Sequence, residues 1–177
     1  MLASLRLIAI LNAALWFGAG VFFTFAVGPA FFSPPMRELL GPAGFQYYAG
    51  GVAMIVLHRY FILQYVCGTL ALLLLGAEAM HLGRRPARRP TALVAALLLL
   101  GLAGGLLLQP HMAELRHTMY TAAAPADREQ AKHKFGLWHG LSQAGNLLVL
   151  AGLLTHLVRV SRPPEPSRFG DLRKLRG

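Results

Sequence analysis

His139, Ser142, Gln143 and Asn146 fall within eight residues of a stretch, 134–148, that reads KFGLWHGLSQAGNLL. An imidazole can ligate a metal or haem iron, or titrate near neutral pH. Hydroxyl and amide groups donate and accept hydrogen bonds. At about 100° per residue these four and Phe135 share about 100° of arc, with Leu137, Leu141, Ala144 and Leu148 opposite. His58, Tyr65 and Thr69 repeat the polar theme upstream at i, i+7 and i+11. The candidate metal or haem ligands are His58, His111, His133 and His139. Spacing tempers that chemistry, because His133 and His139 lie about 240° apart on one helix. No His-x-x-x-His, Cys-x-x-Cys or His-Glu-x-x-His pattern occurs. A haem held by His58 and His139 across two helices is geometrically feasible but is the less favoured reading. The sequence has no Ser/His/Asp order, Gly-rich phosphate loop or paired intramembrane carboxylates, so the expectation is a non-enzyme without a resident cofactor.

What must position these residues follows from composition. The chain of 177 residues is 55% hydrophobic and 14% charged, with mean hydropathy +0.51. A soluble domain carries about 25% charged residues. Four nearly uncharged runs stand out: Leu7–Met36, Tyr60–Ala77, Thr91–Leu108 and Phe135–Val158. With their flanks each is close to the 17–25 residues, roughly, that carry a helix across lipid. None alternates as a barrel strand would. The first run continues well past the apolar stretch of about 7–15 residues typical of a signal peptide, so it reads as a span. The expected fold is all-α, an integral membrane four-helix bundle with helices at about 4–29, 58–82, 91–120 and 125–160. The third and fourth helices extend past the outer membrane surface. Tyr47, Tyr48, Tyr60 and Trp138 suit the headgroup level, and a short interfacial helix is expected around Phe45–Ala53. Cys67 is the single cysteine, which excludes an internal disulfide.

Four crossings place both termini and the 78–90 loop on one side. Arg6, Arg84, Arg85, Arg88 and Arg89 lie there, with six more Lys and Arg between Arg159 and Arg176. The other side holds Arg37, Arg59, Arg116, Arg128, Lys132 and Lys134, offset by Glu114, Asp127 and Glu129. The basic excess marks the cytoplasmic face, so both termini are expected inside, in a bacterial inner membrane. The net charge of +10 is thus assigned to topology and anionic lipid, with no nucleic-acid partner. Residues 161–177 read as a basic cytoplasmic tail. Arg84, Arg85, Arg88, Arg89, Arg168, Arg173, Lys174 and Arg176 are the expected contacts with anionic lipid or a membrane protein partner.

Polar groups in a membrane helix seldom face lipid, so the stripe of His139, Ser142, Gln143 and Asn146 is expected to turn inward, against His58, Tyr65 and Thr69. Gly101-x-x-x-Gly105 and Gly136-x-x-x-Gly140 are both expected to pack helices closely, a dedicated homodimer being the less favoured use. The pattern Phe135-x-x-x-His139-Gly140-x-Ser142-x-x-x-Asn146-Leu147 resembles the last-helix signature of the transmembrane protein 205-like family. Trp16-Phe17-Gly18, Phe22-Phe23-Thr24-Phe25, Gly28, Phe32 and Pro110 look like the same family. The resemblance covers about residues 10 to 155. It implies a small four-helix membrane protein, of a group found in bacteria and eukaryotes, with no assigned reaction. Some members carry a longer soluble insertion between the third and fourth helices, where this chain has a short connection. The function expected is an accessory or structural subunit of a larger membrane assembly. The alternative is handling of a metal ion, haem or small polar solute at a His/Ser/Asn-lined site open to the periplasm.

Overall fold

The computed structural model describes residues 2–162 and builds them from helices, with no strand among the described residues. Four helices are long and apolar enough to cross a membrane: Leu2–Phe31, Phe45–His81, Arg88–Thr121 and Pro125–Ser161. A short helix, Pro34–Leu40, joins the first two spans. Each span packs on the next, and the fourth returns to the first, so the four close a ring. Trp16, Cys67, Ala71, Val94, Leu97 and Leu153 form its centre, with Phe17, Leu63, Leu72, Leu75, Leu93 and Val149 packed around them. All four spans contribute to that centre. Around it the outward faces remain apolar, with Phe25, Val66, Leu73, Leu107 and Leu148 exposed. That is the pattern of a bundle whose solvent is hydrocarbon.

Two prolines lie inside spans, and both follow the same local solution. A proline in a helix leaves the carbonyl four residues back without its donor, and its ring crowds that carbonyl. Phe23–Val27 forms a wider π turn just before Pro29, and Gly104–Leu108 forms another just before Pro110. The wider turn re-spaces the carbonyls that each ring would otherwise meet. The first span therefore continues to Phe31 instead of stopping at Gly28-Pro29. Its end comes at Ser33, whose extended backbone (φ −72°, ψ 156°) opens the Pro34 helix.

The second span also differs from expectation. It begins at Phe45, where the sequence suggested a separate interfacial helix, and runs unbroken for 37 residues to His81. At about 1.5 Å per residue that is about 55 Å, well beyond a core of about 30 Å. The third and fourth spans, at 34 and 37 residues, are likewise longer than such a core requires. Arg116 ties the second and third at the end where the second begins. Its Nη1 donates to the Tyr47 carbonyl at 2.9 Å, and its guanidinium lies 5.3 Å from the Tyr47 ring centre. Gly50 leaves room for this arm, since a Cβ there would stand 3.3 Å from Arg116 Cδ. Gln109 Nε2 donates to the Met54 carbonyl at 3.1 Å about two turns deeper. At the opposite end, Arg6 Nη2 donates to the Ser161 carbonyl at 3.4 Å. A cation there complements the negative end of the fourth helix dipole.

Glycine contacts between the second and third spans yield a stability test. A Cβ on Gly105 would stand 2.9 Å from Phe61 Cγ and 3.0 Å from Phe61 Cβ, and would collide with the Tyr65 hydroxyl. Atoms so near the Phe61 backbone cannot swing away. Gly76 has nothing within 4 Å. Gly105→Ala is expected to destabilise the bundle by about 1–3 kcal/mol. Gly76→Ala is expected to leave it unchanged or raise it by about 0.5–1 kcal/mol through helix propensity. Thermal unfolding of the two variants in the same detergent checks the contrast, and equal midpoints would contradict the packing described.

Candidate functional site

The polar interior is a chain of hydrogen bonds organised by the first span. Asn12, Trp16, Gly20 and Thr24 recur every four residues, which places them along one gently drifting face of the helix. Asn12 Nδ2 donates to the Cys67 carbonyl at 2.9 Å. The Trp16 indole Nε1 donates to Gln64 Oε1, and Gln64 Nε2 donates to the Tyr60 hydroxyl. Tyr60 stacks on Phe23, with ring centres 4.5 Å apart and planes 9° off parallel. Gly20 makes room for this, since a Cβ there would stand 3.3 Å from the Tyr60 hydroxyl. Thr24 Oγ1 donates to the Gly20 carbonyl at 2.7 Å and accepts from Asn146 Nδ2 at 2.8 Å. His156 packs against Trp16 in a T-shaped contact, with ring centres 6.3 Å apart. Asn12, Gln64 and His156 are each buried.

Only part of the expected inward stripe takes part. Asn146 turns inward, but its partner is Thr24 of the first span, where the sequence suggested the second. His139 and Gln143 are exposed, and His139 stacks on Phe135 of its own helix at 6.0 Å. Ser142 Oγ bonds back to the His139 carbonyl at 2.7 Å, so its hydroxyl is used locally. On the second span His58 and Thr69 are exposed, and Tyr65 lies against Phe61 with ring centres 6.4 Å apart. The reason is rotational. The second span turns Tyr60, Gln64, Cys67 and Ala71 toward its neighbours, and that face leaves His58 and Thr69 outside. Tyr60, expected at the headgroups, belongs to the interior chain.

The candidate metal or haem ligands are not gathered into a site. Among the described residues no three His, Cys, Asp or Glu side chains stand together in an arrangement that could hold a metal ion. His58, His111, His133 and His139 are all exposed, and His111 packs edge-on to Trp138 at 5.3 Å. Two surface depressions are present. One is lined by Glu129, Lys132, His133, Gly136 and Leu137, the other by Leu154, Thr155, Val158, Arg159 and Arg162. Each lies along the fourth span alone. Arg84, Arg85, Arg88 and Arg89 are exposed around the loop between the second and third spans. Arg168, Arg173, Lys174 and Arg176 lie outside the described residues, as does the rest of the tail from 163.

The interior residues that the sequence does not assign to the interior are Asn12, Trp16, Thr24, Tyr60, Gln64 and His156. A signal for the first three existed in their four-residue spacing within an otherwise apolar helix. Gln64 had a weaker one, as the lone amide in the run Tyr60–Ala77.

Gln64 accepts from Trp16 of the first span and donates to Tyr60 one turn back on its own helix, so its loss strands two partners. Gln64→Leu is expected to cost about 1–2 kcal/mol, the upper range for inter-helix bonds in membranes. Gln64→Leu combined with Trp16→Phe is expected to cost less than the sum of the two single changes, because both remove one shared bond. A double-mutant cycle on thermal unfolding measures this, and strict additivity would deny the bond. Asn146→Leu is expected to cost about 0.6 kcal/mol by the same measure.

Residues 11–121 match a family model described as a domain of unknown function, DUF4149. The matched stretch covers most of the first span and all of the second and third, and ends before the fourth begins. No curated protein and no solved structure matches the chain. With well over half its length matched, this multi-pass helical membrane chain belongs to the DUF4149 family.

Proposed function

We propose that the protein is a non-catalytic subunit of a bacterial inner membrane that packs against a larger membrane protein assembly, with both termini cytoplasmic. The observation that carries this reading is the fate of the interior polar groups. Asn12, Trp16, Gln64, Thr24 and Asn146 bond to one another or to backbone carbonyls across spans. Groups engaged this way hold helices in register. The exposed basic loop at Arg84–Arg89 supports the orientation, since such residues favour the cytoplasmic face and its anionic lipid. Kinship with the transmembrane protein 205-like proteins belongs to the same proposal. It rests on the fourth-span pattern from Phe135 to Leu147.

Extraction in a mild detergent, followed by identification of co-purifying proteins and metal and pigment analysis of the same fraction, tests the reading. A membrane protein partner at fixed stoichiometry is expected. Stoichiometric metal or haem in place of a partner would overturn it. His139→Gln is expected to leave folding and assembly unchanged, because its ring contacts only Phe135 of its own helix among the aromatic groups. Loss of a bound metal or pigment in that variant would reassign His139 as a ligand. A reporter that folds only in the periplasm, fused after Gly177, is expected to stay inactive, and activity there would invert the topology.

A further inference from the structure

The two glycine pairs have opposite surroundings. Gly101 and Gly105 face Gln64, Phe61 and Tyr65 of the second span. Gly136 and Gly140 have nothing within 4 Å. They lie on the outward side of the fourth span, and at about 100° per residue Glu129, Lys132, Gly136, Gly140, Gln143 and Leu147 form one seam about 80° wide. Every one of these residues is exposed. Gly136 also lines the depression bounded by Glu129, Lys132, His133 and Leu137.

The seam crosses the membrane boundary. At about 1.5 Å per residue, Gln143 lies about 24 Å along the axis from Arg159, inside a hydrocarbon core about 30 Å thick. An amide facing hydrocarbon is costly unless another helix satisfies it. Three residues on, Asn146 has such a partner in Thr24, while Gln143, about 60° round the helix, is exposed. Glu129 and Lys132 lie beyond the boundary, 3.7 Å apart within their own helix and with side chains 76% and 66% exposed.

We infer that this seam is the contact between two copies of the chain, paired in parallel about a two-fold axis along the membrane normal. Copies in one membrane share an orientation, so each seam residue meets its own kind at the same depth. Glu129 of one copy then stands within a turn of Lys132 of the other, and the reverse holds across the axis. A carboxamide both donates and accepts, so the two Gln143 side chains can bond to each other. Gly136 and Gly140 let the backbones close far enough for these contacts. A different helix would have to bring a base, an acid and an amide to three matched levels. A second copy brings all three. The pairing stands apart from the accessory role, since it needs no other protein.

The test is subunit counting by single-molecule photobleaching of the full chain in lipid bilayers, with oxidative cross-linking of cysteine variants. Wild type is expected to be a dimer. Gln143→Cys is expected to cross-link, and Phe25→Cys, exposed on the first span, is expected not to. The native thiol, Cys67, is buried and does not interfere. Gly140→Ile should give monomers with an unchanged thermal midpoint, because among the described residues no atom of the same chain lies within 4 Å of a Cβ at Gly140. Glu129→Lys should weaken pairing, and Glu129→Lys combined with Lys132→Glu should restore it. If Gly140→Ile lowers the midpoint, the cross-linking contrast decides. Monomeric wild type, equal cross-linking at 143 and 25, or a different protein held on this face at fixed stoichiometry would each overturn the inference.

Discussion

The joint between the first and second spans turns on one carboxamide. Gln64 accepts from the Trp16 indole and donates to the Tyr60 hydroxyl, so a single side chain sets the rotation of two helices. In lipid there is no water to take over either bond, and the apolar surroundings of the helices do not otherwise choose a rotation. Once Trp16 and Tyr60 are fixed, the remaining contacts of the seam follow. Asn12 lies one turn from Trp16 and reaches the Cys67 carbonyl, while Gly20, a turn the other way, clears space beside Tyr60. Thr24 then meets Asn146 and brings in the fourth span. Trp16 contributes twice, since its ring also packs against His156 with the two planes 71° apart.

The prolines impose a second constraint, and it acts on helix phase. Each π turn inserts extra backbone into a helix, so residues beyond it present a face that a strict 3.6-residue count would misplace. In the first span the residues before the π turn supply Asn12, Trp16 and Gly20, and the turn itself contains Thr24. In the third span the turn opens with Gly104 and Gly105, the residues against which Phe61 and Tyr65 lie. The same device thus adjusts the two helices where they meet the second span's aromatic face. Pro29 and Pro110 continue a helix that each would break in isolation.

The fold class and the four spans were legible in the sequence because they depend on length and apolar content, which are local properties. Helix rotation was not, because it depends on which neighbour can complete a hydrogen bond. The stripe from His139 to Asn146 illustrates the limit. Its residues do share an arc, but the fourth span turns Asn146, Val149, Leu150 and Leu153 inward and leaves His139 and Gln143 outside. The length of the second span was misread for a related reason. Gly50-Gly51 and the tyrosines before them resemble a connecting loop by composition, yet the Arg116 side chain lies across those glycines and completes the helix surface. Residues that look like a break in one chain segment are thus a socket for another.

The same dependence on context separates the two glycine pairs, which look alike on paper. Gly101 and Gly105 face a helix of their own chain, so the close approach they permit has been used in folding. Gly136 and Gly140 permit an approach that nothing among the described residues makes. The polar residues divide in parallel: amides near occupied faces, Gln64 and Asn146, are bonded across spans, whereas Gln143 beside the vacant pair faces outward. Packing inside the bundle thus engages Asn12, Trp16, Gln64 and Asn146 and leaves Gln143 of the fourth span exposed. A helix that buried its polar side chains at every level would have little to distinguish one lateral neighbour from another. The fourth span keeps charges, glycines and an amide at defined depths on its free face, and so can select among neighbours by register.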